Sequence, residues 1–263
     1  MLPQIITLKK NSIKALLLVL FLGLFTFISC APKQLVNTKV NGKQVPVNNA
    51  YNTDNEIESF IAPYRKHINN DLDSTLAWAP VTFTKRKGKW QTNIGNLMAD
   101  VTFTTADRLL YAREKKHVDV CLLNHGGIRS TIPQGKVTAR TGYQIMPFEN
   151  NLIVLALKGE QINDIAAYFI KGKKAHPIAG MEIVLDKQNN LKKTMVQGQP
   201  VVADKIYYVA TSDYLANGGD NMVFFKEAVA SYKMDYKLRN LYIDYFKTVD
   251  TLPINNTKRI IIE

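Results

Sequence analysis

Three short polar stretches hold the residues with chemistry to offer. They are Asn124-His125-Gly126-Gly127-Ile128-Arg129, Phe148 behind Pro147, and Tyr214-Leu215-Ala216-Asn217-Gly218-Gly219-Asp220. Together they supply an amide, a permanent cation, two aromatic rings and a carboxylate. Glycine pairs free the backbone for positive φ and let a ligand come close to the main chain, while Arg129 offers a planar fork of donors. Two rings facing each other across a gap clamp a flat heterocycle, and stacking of this kind contributes about 1–3 kcal/mol per base. A carboxylate such as Asp220 can accept two hydrogen bonds from a vicinal diol. Arg129 and Asn124 suit a sugar or a phosphate oxygen. The combination describes a nucleoside or nucleotide site. Taken singly, each stretch also fits a plainer role: a strand-to-turn connection with a surface arginine, or a ring that fills a hole in the core.

The elements that must position these residues follow from the apolar pattern. Val118 to Leu123, Leu152 to Leu157 and Ile206 to Ala210 read as buried strands, each adjoining one of the three stretches. Thr92 to Ala112 is the strongest helix, with Ile94, Leu97, Met98, Val101, Ala106, Leu109 and Leu110 as its stripe and Thr92 or Asn93 as its cap. Gly95 in its first turn implies a close approach, for which a helix–helix notch is the expected reason. Helices are also expected from Asp54 (Ile57, Phe60, Ile61, Tyr64, Ile68), with a kink or late start at Pro63, over Glu160 to Ile170 after a turn at Gly159, and over Tyr236 to Phe246. Ser74 to Thr84 reads as a strand interrupted near Pro80. Gly135 to Thr138 reads as a turn into a capped helix, and Ile178 to Leu185 with Leu191 to Val196 as a hairpin. Val223 to Phe225 and Ala228 to Val229 read as continuing strand, and Arg259 to Ile262 as a closing strand. The resulting class is α+β, a mixed α/β domain.

The 263 residues, 46% of them hydrophobic, suffice for one large domain. Lys9, Lys10 and Lys14 precede an apolar run that ends Phe27-Ile28-Ser29-Cys30, the form of a secretory leader too short for a retained span. A cysteine after Ser29 fits lipidation at Cys30 on a bacterial lipoprotein. The organisation expected is a signal peptide over 1–29, a lipidated Cys30 with a polar tether over 30–53, and a folded domain over 54–263. Loss of the leader takes the formal charge from +12 to 34 − 3 − 22 = +9. The lysines are scattered, as on solvated faces, and do not outline a nucleic-acid groove. Cys121, inside an apolar run, reads as a small buried hydrophobe, which leaves no disulfide framework and no cysteine zinc site.

Asn124-x-Gly126-Gly127-Ile128-Arg129, Pro147-Phe148 with Asn151-Leu152 close behind, and Tyr214-Leu-Ala-Asn-Gly-Gly-Asp220 resemble, in order, the signature set of the 5'-nucleotidase C-terminal domain. The resemblance runs from about Thr84 to Glu263. It implies that family's layered fold of mixed sheets and flanking helices, with Phe148 and Tyr214 sandwiching the base and Asp220 on the ribose hydroxyls. Asn124 and Arg129 would hold the sugar or approach the phosphate, with Gly126, Gly127, Gly218 and Gly219 shaping the site. Tyr214 stands where many members carry Phe. The arginine that many members place before the Gly-Asn-Leu helix aligns with Gly88, beside Arg86, Lys87 and Lys89.

The family's hydrolytic half is a metallophosphoesterase domain that holds two metal ions through dense His and Asp motifs. None of His67, His117, His125 or His176 lies in such a motif. No metal ligand, catalytic residue or cofactor is therefore expected in these residues, and divalent metals are expected only in a partner. The function expected is nucleoside or nucleoside monophosphate recognition for a separately encoded metallophosphoesterase, outside the cytoplasm and tethered to a membrane. The competing expectation is a nucleoside-binding or scavenging lipoprotein with no enzyme partner.

Overall fold

The computed structural model describes residues 4–25, 37–48 and 50–263. The chain divides into two units, Met1–Asp54 and Asn55–Glu263. The first contains helix α1 (Gln4–Phe25). Among the described residues no helix is long and apolar enough to cross a membrane. Cys30 and its flanking residues, where lipidation is expected, lie outside the described residues.

The second unit is built on a five-stranded sheet with strand order β10-β4-β9-β2-β5. These strands are β2 (Val120–Leu122), β4 (Asn151–Lys158), β5 (Ile178–Ala179), β9 (Ile206–Ser212) and β10 (Ala230–Lys237). β2 and β9 are parallel, whereas β4 runs antiparallel to both β9 and β10. The continuous apolar runs of β2 and β4 follow from burial on both faces. On one face Cys121, Leu123, Leu152, Val154 and Ala210 meet Ile94, Leu97, Met98, Leu110, Leu241, Tyr242 and Phe246. On the other, Val120, Leu122, Ile153, Leu155 and Val209 meet Ile162, Ile165 and Phe169. The first set of helical residues belongs to α3 (Asn93–Glu114) and α7 (Leu238–Phe246), the second to α5 (Gly159–Gly172). The strict alternation along β2 and β4 is the period of two that a strand imposes.

A second sheet, with order β11-β6-β7-β8, contains β6 (Met181–Leu185), β7 (Leu191–Val196), β8 (Gln199–Pro200) and β11 (Ile260–Ile262). The expected hairpin forms as the antiparallel pair β6–β7, and its first strand is divided at Gly180, with Ile178–Ala179 in the other sheet. Gly180 takes φ +75°, and a Cβ on it would collide with the Asp119 carbonyl, so the chain can leave one sheet for the other only with glycine here.

Several expectations are corrected. Gly135–Thr138 is strand β3, paired with β1 (Thr75–Ala79), and no mere turn. Its Thr138 does cap the short helix α4 (Ala139–Ile145) that follows. Val223–Glu227 is 3₁₀ helix, with Phe224 and Phe225 buried as anchors. The following strand is β10, which also takes the first residues of the helix expected from Tyr236. Helix α2 (Asn55–Asp73) runs through Pro63 and buries none of its residues, so Phe60 is 70% exposed and Tyr64 62%. Gly95 packs beside the Thr92 hydroxyl that caps α3 and beside Pro177, not against another helix. Gly159 begins α5 and makes no separate turn.

Candidate functional site

Sheet topology explains how three stretches far apart in sequence come to share one place. β2 and β9 are parallel neighbours, so both chains leave the sheet at the same edge. β4 is antiparallel to β9 with Leu152 opposite Ser212, so the residues preceding it arrive at that edge. The loops after β2, after β9 and before β4 are therefore adjacent. Ligand sites gather at such strand ends because loops there can carry polar groups without disturbing the buried sheet.

The three loops enclose a cleft of about 290 Å³, lined by Asn124, Gly126, Gly127, Arg129, Phe148, Asn150, Tyr214 and Asp220. Asp220 is its most closely held group. Its carboxylate accepts from Asn124 Nδ2 at 2.7 Å and from the Tyr214 hydroxyl at 3.3 Å. Its own N–H donates to the Tyr214 oxygen at 3.2 Å, and its carbonyl accepts from the Tyr168 hydroxyl at 2.8 Å. Burial, reinforced by the Asp220 charge, raises the Tyr168 phenol above its ordinary pKa and keeps it a donor. These bonds hold Asp220 at φ 52°, a left-handed conformation that aspartate tolerates better than most residues. The carboxylate is thus oriented by the protein itself.

Two glycines permit the arrangement by close approach. A Cβ on Gly127 would stand 2.6 Å from Asn124 Oδ1, and one on Gly219 would stand 2.5 Å from the Tyr214 ring. Gly219 and Gly218 shape the loop without lining the cleft, whereas Gly126 and Gly127 line it.

Phe148 and Tyr214, exposed to 38% and 46%, both line the cleft. Phe148 therefore stands in a cleft and does not fill the core. The Arg129 guanidinium lies over it, 5.6 Å from the ring centroid, a cation–π contact that parks the cation beside the cleft. The Arg129 N–H donates to the Ile145 carbonyl at 3.0 Å, tying the first loop to the segment that carries Phe148.

Two contributors were not singled out from sequence. Asn150 lines the cleft between Phe148 and the start of β4, and its position just ahead of an apolar run was the only available signal. Lys85 donates to the carbonyls of Ile128 (2.5 Å) and His125 (3.4 Å), bracing the first loop from beneath. Burial and the nearby Arg129 charge pull its pKa below the ordinary lysine value. Of the basic residues around Gly88, Lys87 borders a different cleft with Gln91 and Asn96. The histidines are dispersed. His67 and His117 are exposed, the latter paired with Asp107, and His125 lies in the first loop. His176 is buried beneath that loop. Among the described residues no group of three or more His, Cys, Asp or Glu side chains is placed to hold a metal ion. Cys121 is fully buried, and that burial raises its thiol far above the ordinary range.

Comparison with known proteins agrees with this architecture. The chain is 25% identical over 237 residues to mouse 5'-nucleotidase, covering 79% of this chain and 41% of that protein. It is 29% identical over 171 residues to the trifunctional nucleotide phosphoesterase YfkN of Bacillus subtilis, covering 60% of this chain and 11% of that protein. The chain thus spans well under half the length of these relatives. The crystal structure of a 5'-nucleotidase precursor from Thermus thermophilus superimposes with a TM-score of 0.64 at 23% identity, over 78% of this chain and 42% of that one, and so shares the fold. The family model for the 5'-nucleotidase C-terminal domain matches residues 74–227, which include every residue lining the cleft, and the chain belongs to that family.

Proposed function

We propose that the cleft binds a nucleoside or nucleoside monophosphate, with the base between Phe148 and Tyr214 and the ribose diol on Asp220. The observation that carries this reading is the convergence of two exposed rings, a pre-oriented carboxylate and a cation in one cleft of about 290 Å³. Asn124 acts chiefly by orienting Asp220. Arg129 swings from its place over Phe148 toward the sugar or its phosphate. In this reading the domain presents substrate to a metallophosphoesterase on a separate polypeptide, in an extracytoplasmic 5'-nucleotidase system. A lipid on Cys30 holds it at a membrane.

Calorimetry with adenosine and AMP tests the binding, and absence of heat with both overturns it. Phosphate release from AMP, with and without the partner, tests the division of labour. Release is expected only when the metallophosphoesterase is present, and metal-dependent turnover by this chain alone would contradict the split.

A further inference from the structure

Phe148 has no polar atom with which to fix itself, yet the proposed function asks it to stand as one wall of a clamp. It lies in the stretch 146–150, between α4 and β4, where the backbone has no regular structure. A ring on such a stretch keeps one orientation only if its neighbours are held. They are held from one place, the junction where β10 passes into α7.

Three consecutive residues of that junction each bind a residue beside Phe148. The Lys237 ammonium donates to Glu149 Oε2. The Leu238 N–H donates to the Asn150 carbonyl at 2.9 Å. The Arg239 guanidinium donates to the Pro147 carbonyl through Nη1, at 3.4 Å, and to Glu149 Oε1 through Nη2. The chain on both sides of Phe148 is therefore tied to the same point. Arg239 is the centre of the arrangement. It is only 7% exposed, and its guanidinium lies 4.4 Å from the centroid of the Tyr143 ring on α4. A buried guanidinium needs an opposing charge, and a planar fork held against a ring has little freedom. Glu149 supplies the charge. Lys237 foremost, and Arg239 with it, hold the Glu149 carboxyl below its ordinary pKa, so the tie is ionic at neutral pH. None of Glu149, Lys237 and Arg239 lines the cleft.

Resting on the nucleoside reading, we infer that Lys237, Arg239 and Glu149 are positioning residues for the aromatic wall: they hold Phe148 in place before a base arrives, and so set the affinity for the base without touching the ligand. Preorganisation of this kind strengthens binding by removing the entropy loss of ordering the ring when the ligand enters.

The test is calorimetry on the full chain with adenosine, 2'-deoxyadenosine and AMP, for Glu149→Ala, Phe148→Ala and the double variant beside the native protein. The Glu149 side chain is 60% exposed, so its removal leaves the fold intact, which the thermal midpoint checks. Glu149→Ala alone should weaken adenosine and AMP alike, by about 5-fold, the scale of ordering one side chain. Added to Phe148→Ala it should change neither, because the ring through which it acts is gone. AMP, held also by Asp220 and Arg129, is the ligand for that comparison. The preference for adenosine over 2'-deoxyadenosine, which Asp220 sets, should be the same with and without Glu149. Glu149→Gln, which keeps an acceptor oxygen for Arg239, should recover part of the loss. An unchanged adenosine affinity in Glu149→Ala overturns the positioning role, as does an equal loss in the Phe148→Ala background or a collapse of the ribose preference. In each of these cases the native chain still binds adenosine and the nucleoside reading stands. If the native chain binds neither adenosine nor AMP, that reading fails and this inference with it.

Discussion

Tyr214 performs two tasks that separate substitutions can pull apart. Its ring lines the cleft, and its hydroxyl bridges the carboxylate and the N–H of Asp220. The hydroxyl, which a phenylalanine would lack, adds a strut for Asp220. Tyr214→Ala and Phe148→Ala should each weaken adenosine binding by about 1–3 kcal/mol, the value of a stacked base. Tyr214→Phe should keep most of that affinity but loosen Asp220, so the preference for adenosine over 2'-deoxyadenosine should shrink. Titration with both nucleosides checks this, and an unchanged preference would show that Asn124 and Tyr168 suffice to hold the loop. His176 sets a second expectation. A buried base whose pKa falls from 6.5 to about 4 leaves the unfolded chain binding more protons between those values. Its contribution is complete above pH 6.5 and is lost as pH falls toward 4. The groups facing it are His125, Tyr168, Lys174 and Asp220. Denaturant titrations should therefore show His176→Asn losing less stability than the native chain between pH 7 and 4.5, by about 2 kcal/mol.

At the scale of elements, what was legible in the sequence depended on burial. β2, β4 and β9 were readable because they are covered on both sides and so are apolar along most of their length. α3 announced itself through a long stripe and a threonine cap. β10 was illegible for the opposite reason: it is an edge strand in which Met234 is the only buried residue, and its polar outward positions resemble a loop. The 3₁₀ turn at Val223–Glu227 misled because Phe224 and Phe225 are buried without belonging to a strand. The cleft residues were legible individually, by type and by order. Lys85 was not, since a lysine that hydrogen-bonds carbonyls some forty residues away has no local pattern. Arg259 is a similar long-range brace, just ahead of β11. Its side chain is 7% exposed, pairs with Asp100 of α3 at 2.6 Å and donates to the Ile178 carbonyl at β5. Arg259→Met should cost about 2–3 kcal/mol, somewhat below the penalty for breaking a fully buried pair, because Asp100 is partly solvated. Asp100→Asn, which keeps an oxygen acceptor, should cost less. Paired denaturant midpoints would show the order, and equal losses would mean that the charge pairing, which Asp100→Asn also removes, matters more than packing of the guanidinium.

For the whole molecule, the chain divides into Met1–Asp54 and Asn55–Glu263. Among the described residues both apolar cores are built from the second unit, the earliest being Leu76, and every cleft-lining residue belongs to it as well. Folding stability comes mainly from buried apolar area, so removing residues that add none to either core should leave it almost unchanged. A chain beginning at Asn55 should therefore unfold within about 0.5 kcal/mol of the full chain and bind adenosine within about twofold. The first unit should matter for place instead. If Cys30 carries lipid, the Cys30→Ser chain should bind adenosine normally yet stay in the aqueous phase of a detergent partition that captures the native chain. The two readouts are independent, which makes the expectation sharp. Loss of adenosine binding on truncation would mean that the leader or tether reaches the cleft, and unchanged partitioning of Cys30→Ser would mean that the apolar leader, not a lipid, holds the protein to the membrane.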